Sequence, residues 1–332
     1  MSARILIVGA GSIGLKQVRA FSSADPQTSI AVIDADERRL ALAREHGAQT
    51  PGTAWDETDL SRYDGVVICV PSHLHVPFLM RCLREGVPVL CEKPLAASWD
   101  GVPELLEEAH RRPGAVAGIA YVRRYHPAHE YAHDLVRSGQ IGPVLSVRVA
   151  AGQPFAAYRP DYRDIYYASR EKGGGCTLDF ASHFLDLIQW YAGPVRSMRG
   201  FARHLALAGV DVDDTVAACF DFEECPAIGV LHVNQYQPVN ENLYDFAGPE
   251  AALRVREPGF ECEVWRKGAS SWEHVHLFGA DYAEALRRQA AAFLAALAGG
   301  PPMRTGIAQA ARTLRLCLDL LEAQGDGPGL MR

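Results

Sequence analysis

Several patterns that mark common classes of protein are missing from this chain of 332 residues. Its eight cysteines form no Cys-x-x-Cys pair, which argues against a zinc site, and their scatter indicates reduced thiols rather than a disulfide framework. No apolar run approaches the about 20 residues that span a membrane. The first residues hold no basic segment followed by an apolar stretch, so we expect no signal peptide and a cytoplasmic protein.

The chain also has fewer cationic than anionic side chains. Lys and Arg number 33 against 40 Asp and Glu, which gives a formal net charge of -7. A nucleic-acid partner selects for a basic surface, so this balance argues against one. We also expect no metal site, because the three histidines near one face of a predicted helix, His126, His129 and His133, have no Cys or carboxylate placed to complete a ligand set.

What the sequence does contain is an alternation of strand-like and helix-like segments over its first third. Continuous apolar runs such as Arg4–Val8, Ser29–Ile33 and Val66–Val70 predict buried strands, and helical patterns follow each of them. Strands that alternate with helices predict an α/β fold with a doubly wound, parallel sheet of the Rossmann type.

The pattern then changes. Strand-like runs with short turns fill the segment from Val195 to Arg266, and their spacing predicts an antiparallel sheet in an α+β domain. Two amphipathic helices, predicted over Ala283–Leu297 and Gly306–Glu322, close the chain. We therefore predict a dinucleotide-binding domain over residues 1–122 and a second domain over residues 123–332.

The first strand ends in a turn with the spacing Gly-x-Gly-x-x-Gly. Between a strand and a helix, such a turn lets backbone approach a pyrophosphate, and the helix N-terminus offers it N–H groups. The predicted cofactor contacts in the turn are Gly9, Gly11, Ser12, Ile13 and Gly14. Asp34 ends the second strand, where a carboxylate binds both ribose hydroxyls and repels a 2′-phosphate. This favours NAD over NADP, although Arg38 lies close enough to weaken the preference. In the alternative interpretation, Gly9–Gly14 is only a tight turn and Asp34 only caps the strand.

A lysine follows a strand of the same half of the chain. Lys93 stands in the segment Cys91–Pro94, at the strand end where open α/β sheets bind their ligands. A lysine there can donate to a substrate oxygen and stabilise negative charge that develops on it. The alternative interpretation is a solvated loop lysine, since most lysines are exposed.

A carboxylate and an imidazole are spaced one helical turn apart in the other half. Asp179 and His183 are an i, i+4 pair on an otherwise apolar predicted helix, and Asp186 falls near the same face. A histidine oriented by a carboxylate can serve as a general base near neutral pH. The alternative is a core histidine satisfied by Asp179. The preceding glycines, 173–175, favour function, because glycine lets backbone come close to a ligand.

These residues together resemble the Gfo/Idh/MocA oxidoreductases, the group of glucose–fructose oxidoreductase and inositol dehydrogenase. The resemblance covers nearly the whole chain. Its motifs are Gly9–Gly14, Pro71–His75, Glu92–Pro94 and the segment from Gly173 to His183, and the pairing of Glu-Lys-Pro with Asp-x-x-x-His is specific. One departure is Ser72, which stands where many members carry Asn.

The resemblance implies a Rossmann domain and a substrate-binding domain with a large open sheet, whose free face often mediates oligomers. It therefore implies a homo-dimer or homo-tetramer. It also implies a catalytic set of Lys93, Asp179 and His183, with Lys93 near the nicotinamide. The further cofactor contacts that it implies are Pro71, Ser72, His75, Glu92 and Lys93.

The combined features predict an NAD(P)-dependent dehydrogenase for a secondary alcohol of a sugar, polyol, acidic sugar or nucleotide sugar. The sequence leaves open whether His183 or Lys93 accepts the hydroxyl proton. Arg123, Tyr162 and Arg163 lie in Tyr- and Arg-rich segments that suit a substrate pocket or, equally, a surface or oligomer contact. Two alternative functions are a redox-neutral glycosidase that retains its NAD and a non-catalytic NAD-binding regulator.

Overall fold

The computed structural model describes residues 2–52, 54–277 and 281–323. Helices and strands are numbered in chain order. Up to residue 126 they are β1 (Arg4–Val8), α1 (Ser12–Ala24), β2 (Ser29–Ile33), α2 (Glu37–Glu45), β3 (Gly65–Ile68), α3 (His75–Glu85), β4 (Val89–Cys91), α4 (Val102–His110) and β5 (Ala117–Ile119). Short 3-10 turns cover Trp55–Glu57, Leu60–Arg62, Ser72–Leu74 and Val122–Tyr125.

The chain continues with a second series of elements. They are α5 (Pro127–Arg137), β6 (Ser146–Gly152), α6 (Phe155–Tyr158), α7 (Ser182–Ala192), β7 (Val195–Arg203), β8 (Thr215–Phe222), β9 (Ile228–Asn234), β10 (Glu241–Ala247), β11 (Ala251–Glu257), β12 (Glu261–Arg266), β13 (Glu273–Leu277), α8 (Tyr282–Leu297) and α9 (Ile307–Glu322). Two 3-10 turns, Tyr166–Ala168 and Arg170–Lys172, and a π-helical turn, Thr177–Ala181, lie between α6 and α7.

The chain forms two compact units, one of residues up to 126 together with 281–311, the other of residues 127–280 together with the segment from 312. The first unit holds a sheet of order β2-β1-β3-β4-β5 in which every pairing is parallel. Its strands are apolar and buried, as parallel strands covered on both faces must be. The predicted doubly wound sheet is confirmed.

The predicted division of the chain needs a correction. The first unit ends at residue 126 rather than 122, and residues 281–311, which we assigned to the second domain, belong to it. The physical reason is the apolar face of α8: Ala290 and Phe293 join the hydrophobic core of the parallel sheet. The Phe293 ring also meets Phe21 of α1 edge to face, with 6.1 Å between ring centroids.

The second unit holds an eight-stranded sheet of order β13-β12-β11-β10-β6-β9-β8-β7. Its pairings are antiparallel except for β6 with β9, which is parallel. The predicted, mostly antiparallel sheet is confirmed, and β13 is an added strand that the sequence pattern did not predict. Residues alternate between a buried face, which includes Tyr244 and Phe246, and a face that carries the exposed side chains of Phe201, Ile228 and Val230.

Candidate active site

The glycine turn after β1 has the geometry that a dinucleotide requires. Gly9 has a φ of 98°, and a Cβ on it would lie 2.6 Å from the Cys69 carbonyl oxygen. A Cβ on Gly14 would lie 2.0 Å from the Gly9 carbonyl oxygen, so α1 packs on the turn only because residue 14 is glycine. Around Gly11 a Cβ would meet nothing within 4 Å, which leaves the N-terminus of α1 open to a ligand. The turn fits NAD.

The carboxylate at the end of β2 is fixed beside this turn. Asp34 Oδ2 accepts a hydrogen bond from the Ala10 N–H at 2.6 Å, and its Oδ1 accepts one from the Asp36 N–H at 2.8 Å. Arg39 lies beside this carboxylate, with its Nη1 3.9 Å from Asp34 Oδ2. Arg38 is exposed, and its contact with a cofactor stays a prediction.

The ring of His75, a residue predicted to contact the cofactor, is buried against backbone carbonyl groups of the protein. It is 1% exposed, with Nδ1 2.7 Å from the Pro94 carbonyl oxygen and Nε2 2.9 Å from that of Val70. Burial lowers the pKa of His75 to about 4, so the ring is neutral at pH 7 and donates to one of the two carbonyls. His75 joins the segment after β3 to the turn after β4, and its assignment as a cofactor contact is corrected to this structural role.

The Glu-Lys-Pro turn is built around a buried carboxylate. Glu92 is 7% exposed and accepts a hydrogen bond from Gln17 Nε2 at 2.8 Å. Burial raises the pKa of Glu92, while the Gln17 hydrogen bond and the charge of Lys93 act in the opposite direction. Lys93 is half-buried, which disfavours the alternative of a solvated loop lysine. Ser72 is buried and Pro71 is exposed; their contacts with a cofactor stay predictions.

The predicted acid/base pair lies in the second unit. From residue 177 to residue 188 every residue is buried except Asp179 and His183, which are half-exposed and so share one accessible face. The single α-helix predicted here is in fact the π-helical turn Thr177–Ala181 followed by α7. Asp186, predicted near the same face, is 1% exposed. The orientation of His183 by Asp179 stays a prediction.

Tyr166 is a residue of this site that the sequence analysis did not single out. Its hydroxyl donates a hydrogen bond to Asp179 Oδ1 at 2.8 Å. The signal in the sequence was weak, because Tyr166 is one of several tyrosines in the irregular segment before the glycines, and spacing alone does not indicate which of them reaches the carboxylate.

Two of the three glycines before the π-helical turn, Gly174 and Gly175, are required by the protein's own packing. A Cβ on Gly174 would lie 2.0 Å from the Tyr167 carbonyl oxygen, and one on Gly175, where φ is 92°, would lie 2.5 Å from Asp213 Oδ1. The close approach of this backbone to a ligand stays a prediction. Asp213, which the sequence analysis missed, is 1% exposed and its carboxylate accepts hydrogen bonds from Thr177.

Three further residues predicted to contact the substrate differ in their burial and in their contacts with the protein. Tyr162 is 2% exposed and its hydroxyl donates to the Ala208 carbonyl oxygen at 2.5 Å, so this residue is corrected to a core residue. Arg163 donates to the same oxygen from Nε at 2.9 Å and is exposed, so its substrate role stays a prediction. Arg123, in the first unit, is 6% exposed, and its Cζ lies 5.3 Å from the Tyr282 ring centroid.

His129, one of the three histidines that invited a metal interpretation, bonds to two side chains of the protein. His129 is fully buried, with Nε2 2.5 Å from Glu257 Oε1 and Nδ1 2.8 Å from the Tyr191 hydroxyl. The sequence analysis placed no carboxylate beside these histidines, and Glu257 reaches His129 only through the fold. Among residues 2–52, 54–277 and 281–323, no group of three or more His, Cys, Asp or Glu side chains is arranged to hold a metal ion. The helices of the described segments include none long and apolar enough to cross a membrane.

The fold and the glycine turn define a dinucleotide-binding protein, and the comparisons name its family. Residues 3–119 match the model of the oxidoreductase family with an NAD-binding Rossmann fold, and residues 129–254 match the GFO/IDH/MocA C-terminal domain. The chain belongs to the GFO/IDH/MocA family and is an NAD-binding oxidoreductase.

Relatives of known name span most of the chain. Inositol 2-dehydrogenase 2 of Saccharopolyspora erythraea is 30% identical over 277 residues, which are 79% of this chain and 78% of that protein. Two solved structures share the fold over 97% of this chain at 20% identity. One is levoglucosan dehydrogenase in complex with NADH and levoglucosan, with a TM-score of 0.86 and 97% of that chain covered. The other is UDP-N-acetylglucosamine 3-dehydrogenase of Acidithiobacillus ferrooxidans, with a TM-score of 0.79 and 98% covered.

Proposed function

We propose that the protein is an NAD-dependent dehydrogenase that oxidises a secondary alcohol of a sugar, polyol, acidic sugar or nucleotide sugar, or catalyses the reverse reduction. The observation that carries the proposal is the pairing of Asp179 and His183 as the two half-exposed residues of an otherwise buried segment. A buried core histidine would not keep this accessible face. The relatives' names, which refer to an inositol, an anhydrosugar and a nucleotide sugar, support the substrate class.

Each residue of the proposed catalytic set acts on a different group. His183 accepts the hydroxyl proton of the alcohol, and Asp179 orients the imidazole and stabilises the imidazolium that forms. Lys93 donates to the alcohol oxygen and stabilises its developing negative charge. NAD, when bound, supplies the nicotinamide C4 that accepts the hydride.

The residues of the first unit support NAD as the cofactor used in turnover. In the proposed complex, Gly11 and the N–H groups at the start of α1 bind the pyrophosphate, and Asp34 binds the adenosine ribose hydroxyls. A 2′-phosphate would meet the Asp34 carboxylate, so NADP is the poorer cofactor.

The test is NADH formation against inositols, aldoses, uronates and nucleotide sugars, each with NAD and with NADP. We expect turnover with one class and a loss of about 100-fold or more in Lys93→Ala and His183→Ala. The matched controls are Lys267→Ala and His274→Ala, because both side chains are mostly exposed on the sheet domain. Activity retained in His183→Ala would refute its role. NAD that co-purifies without turnover would favour the redox-neutral glycosidase.

We also propose that a second copy of the chain covers the exposed face of the eight-stranded sheet. On β7 and β9 this face carries Phe201, Ile228 and Val230, which are 57%, 68% and 41% exposed. Arg148, which lies beside Val230 in the sheet register, pairs with Asp245 on the next strand. An apolar area rimmed by ion-paired charge is typical of surfaces between subunits.

A further inference from the structure

The segment from the last residue of α6 to the π-helical turn contains tyrosines in three different settings. Tyr162 and Tyr167 are 2% and 0% exposed, and their hydroxyls bond to the Ala208 carbonyl and the Gln235 side chain. Tyr158 is 53% exposed. Tyr166 is 41% exposed, yet its hydroxyl is engaged with the Asp179 carboxylate at 2.8 Å.

We propose that Tyr166 is a positioning residue that acts through Asp179. The inference rests on the proposed function, in which Asp179 orients the His183 imidazole. A phenol that donates to one carboxylate oxygen restricts the rotation of the carboxyl group. This restriction serves a carboxylate whose task is to hold an imidazole in one orientation.

The backbone around Tyr166 is held firmly enough for this role. The next residue, Tyr167, is buried and packs on Phe155 with 4.2 Å between ring centroids. The Gly174 N–H donates to the Ser169 carbonyl oxygen at 2.9 Å, which folds the segment back toward the glycines. The Tyr167 carbonyl then lies so close to Gly174 that only glycine fits there. The turn that carries Tyr166 is thus packed against the start of the segment that carries Asp179.

A purely structural role predicts something different from a positioning role. The hydroxyls of Tyr162 and Tyr167 are buried, so their removal leaves buried acceptors without a donor and lowers stability. The Tyr166 ring is partly solvated, so its hydroxyl adds little to folding. Its removal is therefore expected to change the rate of turnover rather than the melting temperature.

The experiment is a double-mutant cycle on Tyr166→Phe and Asp179→Asn, with kcat and KM measured on the substrate found in the panel. We expect Tyr166→Phe to lower kcat about 10-fold, as the loss of a hydrogen bond to a charged group predicts, with KM and NAD affinity changed less than about 3-fold. In the Asp179→Asn background the same substitution should change kcat by less than about 2-fold, because its partner carboxylate is gone. Tyr158→Phe is the matched control and should behave as the parent protein.

The outcomes separate this inference from the proposed function. If Asp179→Asn and His183→Ala keep full activity, the proposed catalytic set is wrong. If both lose activity and Tyr166→Phe keeps it, the inference alone is overturned. An equal fall in kcat from Tyr166→Phe in both backgrounds, or a melting temperature lowered as far as in Tyr167→Phe, would also overturn it, because the residue would then act independently of Asp179.

Discussion

The carboxylate of Asp213 holds the first residue of the π-helical turn, Thr177, through two hydrogen bonds. Its Oδ2 accepts from the Thr177 N–H at 2.7 Å and from Oγ1 at 2.6 Å. The turn that follows carries Asp179. The buried pair of Asp213 and Thr177 therefore anchors the start of the turn that positions the proposed catalytic carboxylate. The Cys176 N–H also donates to the Asp213 carbonyl oxygen at 2.7 Å, which adds a third hydrogen bond between the two segments.

Replacing Asp213 with alanine should cost stability. The change leaves two buried donors of Thr177 without an acceptor, and we expect the free energy of unfolding to fall by about 2–3 kcal/mol. Urea denaturation measures the change. Asp211→Ala, at an exposed position two residues earlier, is the control and should stay within about 0.5 kcal/mol of the parent. Equal stability of the two variants would show that the attachment to Thr177 contributes nothing.

Gly174→Ala should be destabilising for a different reason. The added Cβ would lie 2.0 Å from the Tyr167 carbonyl oxygen, and backbone on one side must move. We expect a loss of about 2–4 kcal/mol, read from thermal or urea unfolding. Gly114→Ala is the matched control, because a Cβ there meets nothing within 4 Å. A Gly174→Ala variant as stable as Gly114→Ala would contradict the close approach.

Arg39 should determine how well the protein uses NADP once the Asp34 carboxylate is removed. Its Nε lies 3.6 Å from Asp36 Oδ2, and Asp34 is its second acidic neighbour. Asp34→Ser removes the repelling carboxylate and frees the guanidinium for a phosphate, so the ratio of kcat/KM for NADP to that for NAD should rise at least about 10-fold. A second substitution, Arg39→Ala, should abolish the gain, whereas Arg38→Ala should leave it. The opposite order of effects would identify Arg38 as the arginine that binds the phosphate.

Stability should fall in acid because of His75. Its pKa is about 4 in the folded protein, below the ordinary value of 6.5, so the unfolded chain binds more protons between these values. The contribution is fully present above pH 6.5 and is lost as the pH falls toward 4, by about 3 kcal/mol in total. His75→Gln should flatten this part of the stability curve against pH, although it costs stability at pH 7. The exposed His110→Gln is the control and should retain the slope; a His75→Gln curve as steep as the parent's would refute the assignment.

The exposed sheet face should determine the state of association. Ile228→Lys places a charge within the apolar area, where association would bury it, so we expect dissociation to smaller species in light scattering. Leu42→Lys, a matched change at an exposed leucine of α2, should leave the mass unchanged. A parent protein that is already monomeric would refute the proposed contact.

Much of the first unit could be predicted from the sequence. The strands β1 and β2 have the predicted bounds, because a strand buried on both faces needs an unbroken apolar run and a turn residue at its end. The glycine turn could also be predicted, because its spacing is local and two of its glycines, Gly9 and Gly14, stand where a Cβ would collide with backbone. In the second unit, the spacing of Asp179 and His183 indicated a shared face even though the turn between them is π-helical.

The sequence by itself thus determined most of the elements, the cofactor turn and the candidate acid/base pair, since each depends on neighbours within a few residues. Tertiary structure alone decided that α8 returns to the first unit, that the Arg39 side chain lies beside Asp34, and that the ring of His75 meets backbone carbonyls. It also decided that Tyr166, among several tyrosines, meets Asp179. Each of these contacts joins segments that are brought together only by the packing of the folded chain. A pattern of residue types specifies which face of an element a side chain occupies, but it does not specify which partner the side chain meets there.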